Sequence, residues 1–153
     1  MHKITPFLWF DRQAEEAANF YVSIFKHSKI NSVSRYGEGG PAPKGSVMSV
    51  TFELDGQPFI ALNGDPSFRF TEAISMFVNC EDQKEVDDLW ERLSAGGQKG
   101  ECGWLKDKYG LSWQVIPSGL MEALGNKNPE KAKRSMQAMM QMSKIDLEKI
   151  RNA

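Results

Sequence analysis

The chain opens on an apolar, aromatic run, Lys3–Phe10, that reads as a strand and stops at Asp11, a residue suited to cap a helix. From there Ala14, Ala17, Ala18, Tyr21, Ile24 and Phe25 recur at helical spacing among Arg12, Glu15, Glu16 and Asn19, which predicts an amphipathic helix. Lys29–Tyr36 reads as a strand, and the glycines and prolines of Gly37–Gly45 predict a loop. Ser46–Leu54 and Pro58–Leu62 alternate as strands on either side of Asp55-Gly56, a strong hairpin signal.

Asn63–Ala73 carries turn chemistry without a clean period and reads as a link, after which the pattern returns. Ile74–Asn79 is a predicted strand. Asp82 and Glu85 form a capping-box pair ahead of the stripe Val86, Leu89, Trp90 and Leu93, and Gly96-Gly97 ends that helix. Glu101–Leu105 and Leu111–Ile116 are predicted strands around the turn Asp107–Gly110. The halves superpose by counting: Phe7 and Phe77, and Gln13 and Gln83, stand 70 positions apart, and the helix stripes stand 69 apart.

A helical tail follows. Asn128 can cap, Pro129 suits the first helical position and Glu130 faces the positive end of the dipole. Ala132, Met136, Met139 and Met140 recur at helical spacing and read as core packing, with an adaptable partner surface as the alternative. Ser143–Ile150 reads as a further short helix.

Composition narrows the function classes. The 153 residues carry 41% hydrophobic and 25% charged positions, enough for a packed core in an α+β domain. A net charge of -1 gives no basic excess for nucleic acid. No apolar run is long enough for a membrane span or a secretory leader, so a cytoplasmic location is expected. Cys80 and Cys102 form no metal or redox motif and read as reduced thiols. A nucleophilic Cys102 would need a base, and no histidine accompanies it. Asp107 reads as a turn former, and Asp65 and Arg69 as solvated.

Three stretches carry a resemblance: Leu62–Leu93, Cys102–Gly119 and the terminal Ala138–Met142 with Lys144-Ile145-Asp146. Over nearly the whole chain the sequence resembles the glyoxalase and vicinal-oxygen-chelate superfamily, in its demethylubiquinone methyltransferase-like (PhnB-like) branch. The resemblance implies two tandem βαβββ units, residues 1–63 and 74–117, joined by a linker at 64–73 and followed by C-terminal helices at 118–153. It implies that the strands curl into open curved barrels around a cleft, and that the protein is a homodimer.

In metal-using members, His, Gln or Glu from the first and last strands of each unit point into that cleft. Here the corresponding slots fall on Thr5, Ser75, Gln114 and either Phe59 or Ile60. Two neutral hydroxyls, one amide and a hydrocarbon are a poor donor set for a divalent ion. Neither His2 nor His27 fits the pattern, so no metal and no cofactor are expected. Strand alternation groups Phe7 and Trp9 with Thr5, and Phe77 with Ser75, while Asn63 and Trp104 stand at strand ends near the mouth. Such walls suit a small aromatic or amphipathic ligand. Each aromatic taken singly also suits a plain core position. The expectation is a metal-independent small-molecule-binding protein. A metal-dependent isomerase, lyase or dioxygenase, a methyltransferase, and an assembly module are the competing readings. For the methyltransferase, the corner Phe10-Asp11-Arg12-Gln13 lacks the glycine-rich turn that commonly holds a nucleotide-type cosubstrate.

Overall fold

The computed structural model describes residues 2–153, and two compact units meet at Arg69–Phe70. In the first, β1 (Phe7–Phe10) leads into α1 (Ala14–Ile24), followed by β2 (Lys29–Arg35), β3 (Val47–Leu54) and β4 (Gln57–Asn63). The sheet order is β1-β4-β3-β2, with β1 parallel to β4 and the other pairs antiparallel. One face of this sheet lies under α1. Ala14, Ala17, Ala18, Tyr21 and Ile24 are buried there with Leu8, Phe10, Val50, Phe52, Leu54, Phe59 and Ala61. The alanines let helix and sheet approach closely, while the Tyr21 ring stacks on Phe52 and that on Phe59. Burying a side chain of that size stabilises the fold by about 2 kcal/mol each.

Two expectations are corrected in this unit. The first strand begins at Phe7, not Lys3. Pro6 accepts a hydrogen bond from the Ile60 N–H but has no N–H to return, so the ladder starts one residue later. Asp11 does not cap α1. Arg12 takes a left-handed φ of 65°, the cap position falls on Gln13, and no side chain of the corner bonds the helix start. The Asp55-Gly56 hairpin forms as expected, with both residues at positive φ (49° and 79°), as a two-residue turn of this type requires.

The second unit repeats the plan: β5 (Met76–Cys80), α2 (Gln83–Ser94), β6 (Gln98–Lys99), β7 (Trp104–Lys106) and β8 (Ser112–Pro117). The order β5-β8-β7-β6 again pairs first and last strands in parallel. Asp82 caps α2 by accepting from the Glu85 N–H at 2.8 Å. Val86, Leu89, Trp90 and Leu93 bury one face of α2, and Leu105, Trp113 and Val115 are buried on the sheet. Asp107, 3% exposed, accepts from the N–H groups of Tyr109 and Leu111 through one oxygen and from the Trp113 indole through the other. It therefore ties its turn to the core as well as forming it.

The expected strand Glu101–Leu105 is shorter. Cys102 and Gly103 both have left-handed φ values, 56° and 84°, which no strand accommodates. Gly103 is also packed tightly: an added Cβ would lie 3.0 Å from the side chains of Ile116 and Ile145. The two-residue β6 was not foreseen.

Three helices complete this unit: α3 (Leu120–Leu124), α4 (Pro129–Met140) and α5 (Leu147–Arg151). Asn128 caps α4, accepting from the Glu130 and Lys131 N–H groups. The helices share a cluster of Ile116, Leu120, Ile145 and Ile150, edged by Ala138, Met139 and Met142. The methionine stripe is only half core. Ser135 takes the buried position, donating to the Ile150 carbonyl, while Met136 and Met140 are 40% and 62% exposed. The final helix starts at Leu147, because Asp146 caps it by accepting from Lys149 N–H.

Candidate functional site

In each unit α1 or α2 covers one sheet face and leaves the other open. On the first unit's open face, Phe7 stands beside Ile60 and Trp9 beside Leu62. Phe59 points the other way, into the core under α1, so of the two residues at that slot Ile60 is on the open face. Phe7 is 53% exposed. Thr5 is half-buried, just before the strand. Trp9 is held by its own chain: its indole N–H donates to the Asp65 carbonyl at 3.0 Å and its ring meets Phe68 edge-on at 5.3 Å. Gly64 lies so close against the indole that an added Cβ would fall 2.2 Å from it. The segment after β4 is thus a strap over Trp9, set by an Asx turn in which Asp65 accepts from Ser67 N–H. That bond holds the Asp65 carboxyl below its ordinary value.

Asn63, expected at the cleft mouth, has both ends of its amide engaged. Its oxygen accepts from the Ala14 N–H at 2.8 Å, and its nitrogen donates to the Val47 carbonyl at 3.2 Å. It supplies the helix cap that Asp11 does not.

The second unit brings four expected residues together. Trp104, Gln114 and Phe77 stand in one cross-strand row over β7, β8 and β5. The Gln114 Nε2 donates to Ser75 Oγ at 2.9 Å. Phe77 is 50% exposed, whereas Trp104, Gln114 and Ser75 are half-buried. Two residues beyond Trp104, Lys106 pairs with Glu72, whose carboxyl is held below its ordinary value mainly by that hydrogen bond.

The two thiols have different settings. Cys80 lies in the core; burial, reinforced by the nearby Glu85 carboxylate, pushes its pKa up to about 12. The Cys102 thiol is half-buried and points at the Met139 carbonyl at 3.6 Å.

The strap over Trp9 and the capping role of Asn63 were missed by sequence reasoning. The turn residues Asn63-Gly64-Asp65-Pro66 are the available signal, but turn chemistry alone does not say which distant groups they bond.

Two sheets of identical order, each built as βαβββ, make the tandem fold of glyoxalase-like proteins. The chain belongs to the 3-demethylubiquinone-9 3-methyltransferase family, whose model matches residues 2–116. Helices α3 to α5 lie beyond that match. A solved structure of a putative 3-demethylubiquinone-9 3-methyltransferase, PhnB protein, from Bacillus cereus is 42% identical, covers 76% of this chain and 100% of its own, and superposes with a TM-score of 0.71. A Pseudomonas aeruginosa protein is 20% identical over 76% of this chain and 98% of its own, with a TM-score of 0.64. The genomically encoded fosfomycin resistance protein FosX from Listeria monocytogenes is 18% identical over 80% of this chain and 96% of its own, with a TM-score of 0.58. These last two share the fold. No curated protein matches the chain. Among the described residues no helix is long and apolar enough to cross a membrane.

Proposed function

We propose that the protein binds a small aromatic or amphipathic molecule on its open sheet faces without a metal ion. The observation that carries this reading is the Trp104–Gln114–Phe77 row, two accessible rings flanking a polar amide. Rings of that kind offer apolar area, and the amide and the Ser75 hydroxyl orient a ligand. The proposed homodimer, located in the cytoplasm, keeps its exposed Phe7 and Phe77 for contact with ligand or partner. Light scattering after gel filtration checks the dimer.

The superfamily implies a metal, and the donor set here does not fit one. Ile60 is a hydrocarbon, Thr5 and Ser75 are neutral hydroxyls, and Gln114 alone offers an amide oxygen. No group of three or more His, Cys, Asp or Glu among the described residues could hold an ion. The family's name implies S-adenosylmethionine, and the first strand–helix corner does not fit a nucleotide-type cosubstrate. It has no glycine, and the Ala14 N–H at the helix start is already taken by Asn63.

A thermal-shift screen of small aromatic molecules in excess chelator tests the proposal. Stabilisation by members of the screen is expected, since a ligand at 100 times its Kd adds about 2.7 kcal/mol. No hit in chelator, or saturable S-adenosylmethionine binding by calorimetry, would count against it.

A further inference from the structure

The open face of the second unit's sheet is more than apolar. On β8 the side chains of Ser112, Gln114 and Ile116 alternate onto the face that Phe77 and Trp104 share. Ser112 is 1% exposed and Ile116 is 5% exposed, so the strand is closed on both sides of Gln114. Ile116 is covered by the C-terminal cluster with Leu120, Ile145 and Ile150, residues beyond the span matched by the family model. The half-buried Gln114 therefore forms the floor of a recess with a ring on each flank.

The hydrogen-bonding capacity of that floor is incomplete. Gln114 donates through Nε2 to Ser75 Oγ, and among the described residues its Oε1 has no partner. Ser75 accepts that bond, which leaves its own hydroxyl hydrogen to donate. Ser112 Oγ is buried without a partner among the described residues. An acceptor and a donor thus stand on two groups that a 2.9 Å hydrogen bond holds together. The nearest charge on the strand beside them, Lys106, is neutralised by Glu72.

Resting on the binding function proposed above, we infer that this recess recognises a neutral planar ring whose edge carries an N–H beside a carbonyl, as in a cyclic lactam. The ring lies between Phe77 and Trp104, its N–H donates to Gln114 Oε1, and its carbonyl accepts from the Ser75 hydroxyl. A charged edge would enter without a counter-charge and lose its hydration.

The test uses the full isotope-labelled chain in chelator, with 2-quinolone as the lactam probe and quinoline as a probe of the same ring size lacking the donor. The expected result is shifts at the Gln114 side-chain amide and the Trp104 indole N–H on adding 2-quinolone. Its affinity should exceed that of quinoline by about tenfold, the worth of the added hydrogen bonds. Gln114→Leu should erase that advantage. Ser75→Ala removes the donor alone and keeps the test open should the first variant fold poorly. Equal affinity for both probes, or an advantage that survives both substitutions, overturns the lactam inference and leaves aromatic binding standing. If neither probe binds and the wider screen is also blank, the binding function falls with it.

Discussion

Asn63 shows how one side chain can look like a ligand contact in sequence and serve the fold instead. It sits at the end of β4 and reaches the start of α1, satisfying a helix N–H that no neighbour in the chain supplies. Asn63→Ala should destabilise the protein by about 1 to 2 kcal/mol, as loss of a helix cap does, measured by urea denaturation. A change below the error of that measurement would mean the cap is made elsewhere. Cysteine chemistry divides just as clearly. With Cys80 held near a pKa of about 12, a thiol reagent at pH 8 should label Cys102 and leave Cys80 unmodified in the folded protein, as read by peptide mass spectrometry. Labelling of Cys80 at an equal rate would contradict its burial.

At the scale of elements, most helices and hairpins were legible, because periodicity and capping are local properties. The α2 cap at Asp82, the Asp55-Gly56 turn and the α4 start at Asn128 all follow from adjacent residues. What was illegible depends on distant partners. Whether Asp11 or Asn63 caps α1, or whether Ser135 rather than Met136 faces inward, is decided by what the fold brings alongside. The Gln114–Ser75 bond spans 39 positions, so the spacing pointed to both residues, Gln114 on β8 and Ser75 one residue before β5 rather than in the strand expected from Ile74, but could not show them paired. The docking of the C-terminal segment is of the same distant kind. Gln83 clamps it with one bond to the Ile145 carbonyl and one from the Leu147 N–H, and Lys144 pairs with Asp87 at 2.9 Å. Lys144 holds the Asp87 carboxyl below its ordinary 3.8. A lowered folded-state pKa means this contribution is complete above pH 3.8 and fades as the pH falls through the folded value. Hydrogen exchange at the Leu147 amide, corrected for intrinsic rates, should therefore speed up on acidification in that window. Lys144→Met should flatten the dependence; an unchanged acid response would assign it to other groups.

For the whole molecule, the repeat is the organising fact. Each unit pairs its first and last strands in parallel, hides one face under a helix and leaves a phenylalanine, Phe7 or Phe77, about half exposed on the other. The equivalent slots on those open faces hold Ile60 in one unit and Gln114 in the other, with Ser75 beside it. On the proposed reading, that set serves hydrogen bonding and apolar contact rather than a cation. Calorimetric titration of the metal-free protein with Mn(II) and Zn(II) tests this most directly. No saturable one-to-one binding is expected, whereas a saturable isotherm that disappears in Gln114→Ala would contradict the account.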